Sequence, residues 1–131
     1  MTPDIIVVDS SDANGVALKY NEKYNLFTTF GKIIGVTVNG TFVVDGAFVY
    51  QLKATYGLPL SVSLDRIINE DGFMISWSDF IDEARKNKIW DFQTIDEIEY
   101  SLIDAGIPKK IQKQILDRCK IYIMKTISNE L

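Results

Sequence analysis

The run DGAFVYQLKATYGLPLSVSLDRIINEDGFMISWSDFIDEARK, Asp45 to Lys86, divides into helix, corner, helix, short link and helix. Asp45-Gly46 stops whatever precedes it and supplies a carboxylate able to cap a helix start. Phe48, Leu52 and Tyr56 recur every four residues with Val49 beside them, which predicts an apolar stripe on a helix over 47–56. Gly57 then takes the left-handed position that ends helices, and Pro59 prevents continuation. Ser61 is the expected cap of a second helix over 62–70, whose Leu64, Ile67 and Ile68 turn inward until Asp71-Gly72 ends it. Phe73 to Ser76 is a short extended link. Ser78 is the expected cap of a third helix over 79–87, with Phe80, Ile81 and Ala84 inward and Asp79, Asp82, Glu83, Arg85 and Lys86 outward.

Upstream of this run the periodicity changes. Ile5–Val8, Val16–Tyr20, Tyr24–Phe30, Ile33–Val38 and Thr41–Val44 are short, rich in aromatic or β-branched residues, and separated by turn formers. Asn39-Gly40 suits a type I′ hairpin, because both residues tolerate the positive φ that such a turn needs. The expectation is an antiparallel meander of about five strands over 4–44. Downstream, Thr94 and Glu97 have the spacing of a capping box for a helix over 95–105, closed by Gly106. Pro108 opens a last helix over 108–127. Its Ile111, Ile115, Cys119, Tyr122, Ile123 and Ile127 share one face, and Lys109, Lys113, Asp117 and Lys120 lie opposite. The class is α+β: one domain over 1–131, β-rich in 1–44 and helical in 45–131.

Composition narrows the chemistry. The longest apolar runs are four residues, far short of the ~18 that a membrane span requires, and the acidic start does not resemble a secretory signal. The expected location is the cytoplasm or cell interior. There is no histidine, which excludes Ser-His-Asp and Cys-His catalysis and removes the commonest zinc ligand. The one cysteine, Cys119, reads as a small buried hydrophobe. Ser10, Asp12, Asn14 and Gly15 match the opening of a calcium loop, but Asn21 stands where the bidentate glutamate belongs, so no calcium site is expected. Asp79, Asp82 and Glu83, and Asp96, Glu97 and Glu99, read as solvated helix surfaces, the second set also favouring a helix start. No cofactor, metal or enzymatic activity is expected.

Residues 45–86 resemble the segment of alanyl-tRNA synthetases around their Asp-Thr-Tyr-Gly-Phe-Pro motif. The matching residues here are Phe48, Leu52, Ala54-Thr55-Tyr56-Gly57-Leu58-Pro59-Leu60, Ile67, Ile68, Gly72, Phe80 and Ala84-Arg85. Ala54 departs from the family's Asp and Leu58 from its Phe. The catalytic motifs of the family lie upstream, where this chain has only about 45 residues of predicted strands, and its histidine-bearing editing site has no counterpart. The resemblance therefore implies a shared helix-break-helix unit without aminoacylation, as in small proteins of phages or mobile elements, and hence an alternative location within a viral particle. Local chemistry by itself makes Tyr56, Gly57 and Pro59 a structural corner rather than a retained RNA contact: Gly57 ends the helix, Pro59 prevents its continuation, and Tyr56 and Leu58 are expected to pack the turn.

Charge is uneven along the chain. Residues 1–106 carry 8 Lys or Arg against 16 Asp or Glu, and residues 107–131 carry 6 against 2, within a total net charge of −4. Two binding expectations follow. Trp77, Trp90 and Phe92, with Tyr20, Tyr24 and Tyr100, are candidates for an aromatic surface that binds another protein or a second copy. Lys109, Lys110, Lys113 and Lys120 are candidates for RNA or tRNA contacts, with Arg118 and Lys125 adding charge, although the acidic remainder repels phosphate.

Overall fold

A computed structural model describes residues 7–8, 27–28, 31–37 and 41–130. Among them the chain is α+β, with a small sheet and five helices. The strands are β1 (Val7–Val8), β2 (Phe27–Thr28), β3 (Gly31–Thr37), β4 (Phe42–Val44) and β5 (Met74–Ile75). The helices are α1 (Gly46–Ala54), α2 (Leu60–Leu64), α3 (Trp77–Lys86), α4 (Asp91–Asp104) and α5 (Lys109–Glu130). No helix among the described residues is long and apolar enough to cross a membrane.

The sheet corrects the expected antiparallel meander. Strand order is β1-β3-β4-β5, with β2 also on β3, and both outer pairs, β1 with β3 and β4 with β5, run parallel. A parallel neighbour needs a crossover, and α1 and α2 supply the one between β4 and β5. The expected link at Phe73–Ser76 is thus a strand, too short to show its own alternation. The expected strand at Val16–Tyr20 lies outside the described residues. The β3–β4 pair is antiparallel, as Asn39-Gly40 suggested, and Thr37 N–H donates to Thr41 O at 2.8 Å. The type I′ turn expected at Asn39-Gly40 lies outside the described residues. Ile33, Val44 and Ile75 face the helices, while Ile34, Val43 and Met74 group on the other side of the sheet.

Helix starts differ from expectation where tertiary contacts outbid local signals. Asp45 does cap α1, its Oδ1 accepting from Ala47 N at 2.9 Å. Pro59, not Ser61, precedes α2. Ser76, not Ser78, occupies the cap position of α3; its Oγ accepts the Gly46 N–H at 2.8 Å and donates to Asp79 Oδ2 at 2.7 Å. Thr94 is inside α4, buried, with its hydroxyl turned back to Trp90 O. That helix begins at Asp91, whose carboxylate both complements the helix dipole and is held by Arg85. Pro108 sits one residue before α5, its carbonyl accepting from Ile111 and Gln112.

Helix ends follow their glycines. Gly57 and Gly106 have φ of +71°, and Gly72 has +69°. After Gly106 the Ile107 N–H reaches Leu102 O at 3.1 Å and Gly106 N–H reaches Ile103 O at 3.0 Å, the paired closure of a Schellman turn. Helix α2 continues without a break into a π-helical turn, Asp65–Glu70. Asn69 reaches across from this turn to Ala105 O at 3.0 Å.

The core forms around α3. Trp77, Phe80, Ile81 and Ala84 lie at i, i+3, i+4 and i+7, and all are buried. Tyr50 and Trp77 both meet Phe80 edge-on, at ring-centroid distances of 5.3 and 5.4 Å. Helix α1 turns Gly46, Val49 and Tyr50 inward rather than the expected Phe48–Leu52–Tyr56 stripe: Leu52 is half-buried, while Phe48 and Tyr56 are exposed. The rotation follows from a backbone contact. A Cβ on Gly46 would stand 2.0 Å from Ser76 O and 3.0 Å from Phe80 N, so only a hydrogen fits there.

Gly46→Ala is therefore expected to destabilise the fold by about 3 kcal/mol, the upper end of overpacking costs. Gly72→Ala, with open space around it, should cost only the ~1–2 kcal/mol of a left-handed backbone. Urea unfolding followed by circular dichroism distinguishes the two; equal losses would contradict the close-contact account.

Candidate functional site

Helices α4 and α5 form a hairpin closed at Gly106 and fastened at its open end by a polar clasp. Arg85 on α3 donates through Nε and Nη2 to Asp91 Oδ1 and Oδ2, at 2.9 and 3.0 Å, and through Nη1 to Thr126 Oγ1 at 2.9 Å. This bidentate fork is the geometry that guanidinium and carboxylate match best. Next to it the Tyr122 hydroxyl donates to Asp82 at 2.6 Å, and Arg85 lies 5.8 Å from the Tyr122 ring centre. The start of α4 and the far end of α5 are thus held at one level on α3.

The clasp determines what is left outside. Ile98, Ser101 and Leu102 of α4, and Ile115, Leu116, Cys119 and Ile123 of α5, close on the core. On the solvent side stand Trp90 and Phe92, 69% and 63% exposed, with ring centres 6.5 Å apart. Tyr100, Ile103, Ile121 and Met124 are exposed as well. Ile127, expected on the buried face of α5, is exposed too. Buried large side chains are the rule in a core, so this group of outward rings and aliphatics on one hairpin is the informative exception.

The expected aromatic set is therefore divided. Trp77, only 3% exposed, is a core residue and leaves the surface set. Trp90, Phe92 and Tyr100 are outside, and Tyr20 and Tyr24 lie beyond the described residues. Lys109, Lys110, Lys113 and Lys120 all stand exposed on α5, and Lys113 pairs with Asp117 at 2.8 Å. At the corner, Gly57 N–H bonds Lys53 O at 3.2 Å and Leu58 N–H bonds Leu52 O at 3.0 Å, while Tyr56 points to solvent instead of packing the turn. Sequence reasoning passed over Ile103, Ile121 and Met124. The outward position of Ile103 and Met124, between acids and lysines on their helices, was the available signal.

A cavity of about 260 Å³ lies between β5, the π-helical turn and α5, lined by Phe73, Met74, Trp77, Ile111 and Ile115 among others. Arg118 is the ionisable residue among its described lining, so the cavity holds no acid–base pair. The acids of α3 are engaged structurally. Burial raises the Asp79 carboxyl above its ordinary value, opposed by the Ser76 hydrogen bond and assisted by Asp45, Asp82 and Glu83. Burial pushes the Cys119 thiol up to about 12, which leaves it protonated and unreactive. No group of three or more metal-binding side chains occurs among the described residues. No family model, curated protein or solved structure matches this chain.

The clasp carries a pH signature. Burial, then the hydrogen bond to Asp82, raises the Tyr122 hydroxyl from 10.0 to about 12. The folded state thus favours the protonated phenol, so this contribution is whole below pH 10 and is lost as pH rises through about 12. Tyr122→Phe should lower stability at neutral pH by about 1 kcal/mol and flatten the decline over that alkaline window. Thermal midpoints measured across pH check both; an unchanged alkaline slope would assign the decline to other groups.

Proposed function

We propose that the protein is a non-enzymatic interaction module that docks through the solvent face of the α4–α5 hairpin onto another protein or a further copy of itself. The observation that supports this most is the exposure of Trp90, Phe92, Ile103 and Met124 on a rigidly clasped hairpin. Rigid aromatic side chains give large contact area with little ordering cost, which is why they dominate binding surfaces. We read the synthetase-like segment as a scaffold. In this chain it carries α1, the Gly57 corner, α2 and α3, and its buried residues pack the core beneath the docking face. The placement inside a cell rests on the short apolar runs and the acidic start, and the alternative of a phage particle on that resemblance alone.

A second reading, RNA or tRNA binding, draws on the exposed lysines of α5, Lys109, Lys110, Lys113, Lys120 and Lys125. The acids Asp96, Glu99 and Asp104 stand exposed on the neighbouring helix and oppose phosphate, so the first reading is favoured.

A photo-reactive phenylalanine analogue installed at position 92 should give discrete adducts in native extracts, whereas the same group at position 62, exposed on α2, should not. Identical adducts at both positions, or none at either, would remove the docking face. Gel-shift titration against RNA at low and moderate salt is expected to show no retained complex. A complex whose affinity falls steeply with added salt would instead establish the second reading.

A further inference from the structure

The outer stripes of the two hairpin helices carry opposite charge. On α4, Phe92, Asp96, Glu99 and Ile103 follow at i, i+4, i+7 and i+11, all exposed, and the helix contains no Lys or Arg. On α5, Lys113, Lys120, Met124 and Ile127 are exposed at i, i+7, i+11 and i+14. The two helices pack against each other, and their inward residues, Ile95 and Ile98 on α4 and Leu116 and Ile123 on α5, belong to one core, leaving both stripes on the outside. The ion pairs these helices make among the described residues go elsewhere: Glu97 to Lys53, Asp91 to Arg85 and Lys113 to Asp117. Acidic and basic stripes thus lie side by side without joining.

We propose that this face docks a second copy of the same chain about a two-fold axis running along the α4–α5 pair. The proposal rests on the interaction-module reading and names its partner. A face with an acidic stripe on one side and a basic stripe on the other is its own complement under one kind of rotation. An axis parallel to the helices lays α4 of each copy over α5 of the other, antiparallel, so acid meets base. An axis across the helices would lay acid on acid.

The parallel axis also sets the register, since it leaves heights along the helices unchanged. The Arg85 clasp puts Asp91 level with Thr126, and the Gly106 turn puts Asp104 near the level of Lys109. Phe92 therefore stands opposite the partner's Met124, Asp96 opposite the partner's Lys120, and Asp104 opposite the partner's Lys110. Rings meet aliphatics at one end, the Asp96–Lys120 pairs lie in the middle, and beyond them Glu99 and Ile103 come level with the partner's Asp117 and Lys113, which are already paired with each other. Asp117, the acid within the α5 stripe, is neutralised in its own chain by Lys113. Exposed ion pairs contribute little affinity singly, but they choose orientation and register. A closed two-fold pair uses both stripes at once, which head-to-tail association would not.

Sedimentation equilibrium over a wide concentration range tests this with two single variants and their mixture. The wild type should show a monomer–dimer equilibrium. Asp96→Lys and Lys120→Asp should each weaken it about tenfold or more, because each homodimer then sets like charges opposite one another twice. Mixing the two variants should restore association as a heterodimer, in which both 96–120 pairs are again of opposite sign. Both positions are exposed, so unchanged circular dichroism and thermal midpoints are expected and show that folding is intact. A wild type that stays monomeric, or variants that associate normally, or a mixture that fails to associate, would overturn the proposal. A monomer whose position 92 still cross-links to a different protein overturns the dimer alone; a monomer with no adduct overturns the docking face as well.

Discussion

A backbone contact at Gly46 is the constraint on which the arrangement of this chain depends. There α1 approaches the start of α3 so closely that the Ser76 carbonyl occupies the space a side chain would need. The Gly46 N–H bonds the Ser76 hydroxyl, which passes the interaction to Asp79. Because Ser76 also directs its own N–H to Val44 O at the end of β4, one residue links sheet, first helix and third helix. The rotation of α1, and hence the choice of Val49 and Tyr50 as its buried residues, follows from that approach.

From α3 the order spreads to the hairpin. The apolar stripe Trp77–Phe80–Ile81–Ala84 faces the core, and the polar residues next to it, Asp82 and Arg85, reach outward to Tyr122, Thr126 and Asp91. A half-buried bidentate ion pair contributes more to specifying an arrangement than to raw stability. Here it specifies which sides of α4 and α5 remain in water. The exposed rings and the two charged stripes are consequences of how α3 grips the hairpin.

The displaced titratable groups among the described residues belong to contacts that hold the fold. Burial is the first cause of the displaced values of Asp79, Tyr122 and Cys119, whereas Glu83, Arg85 and Lys113 are displaced first by their hydrogen bonds to Lys86, Asp91 and Asp117. Tyr122 ties α5 to Asp82 of α3, and Asp79 holds the Ser76 hydroxyl that also accepts the Gly46 N–H.

Sequence alone determined the things governed by local chemistry. The α+β class, the number of helices after residue 45, the glycine stops at Gly57, Gly72 and Gly106, and the inward stripe of α5 through Cys119 were legible because periodicity and positive-φ positions are local properties. Only the tertiary structure decided the rest. The parallel pairing of β5 needs a partner brought by a crossover, and a two-residue strand has too few side chains to show a period. The capping signals at Ser61, Ser78 and Thr94 lost to Pro59, to the Ser76 network and to the Arg85–Asp91 pair, each of which involves fold geometry that spacing does not reveal. Trp77 and Trp90 look alike as letters. One is core and one is surface because Trp77 lies on the buried stripe of α3, while the start of α4 is fastened by its carboxylate and leaves the neighbouring rings exposed.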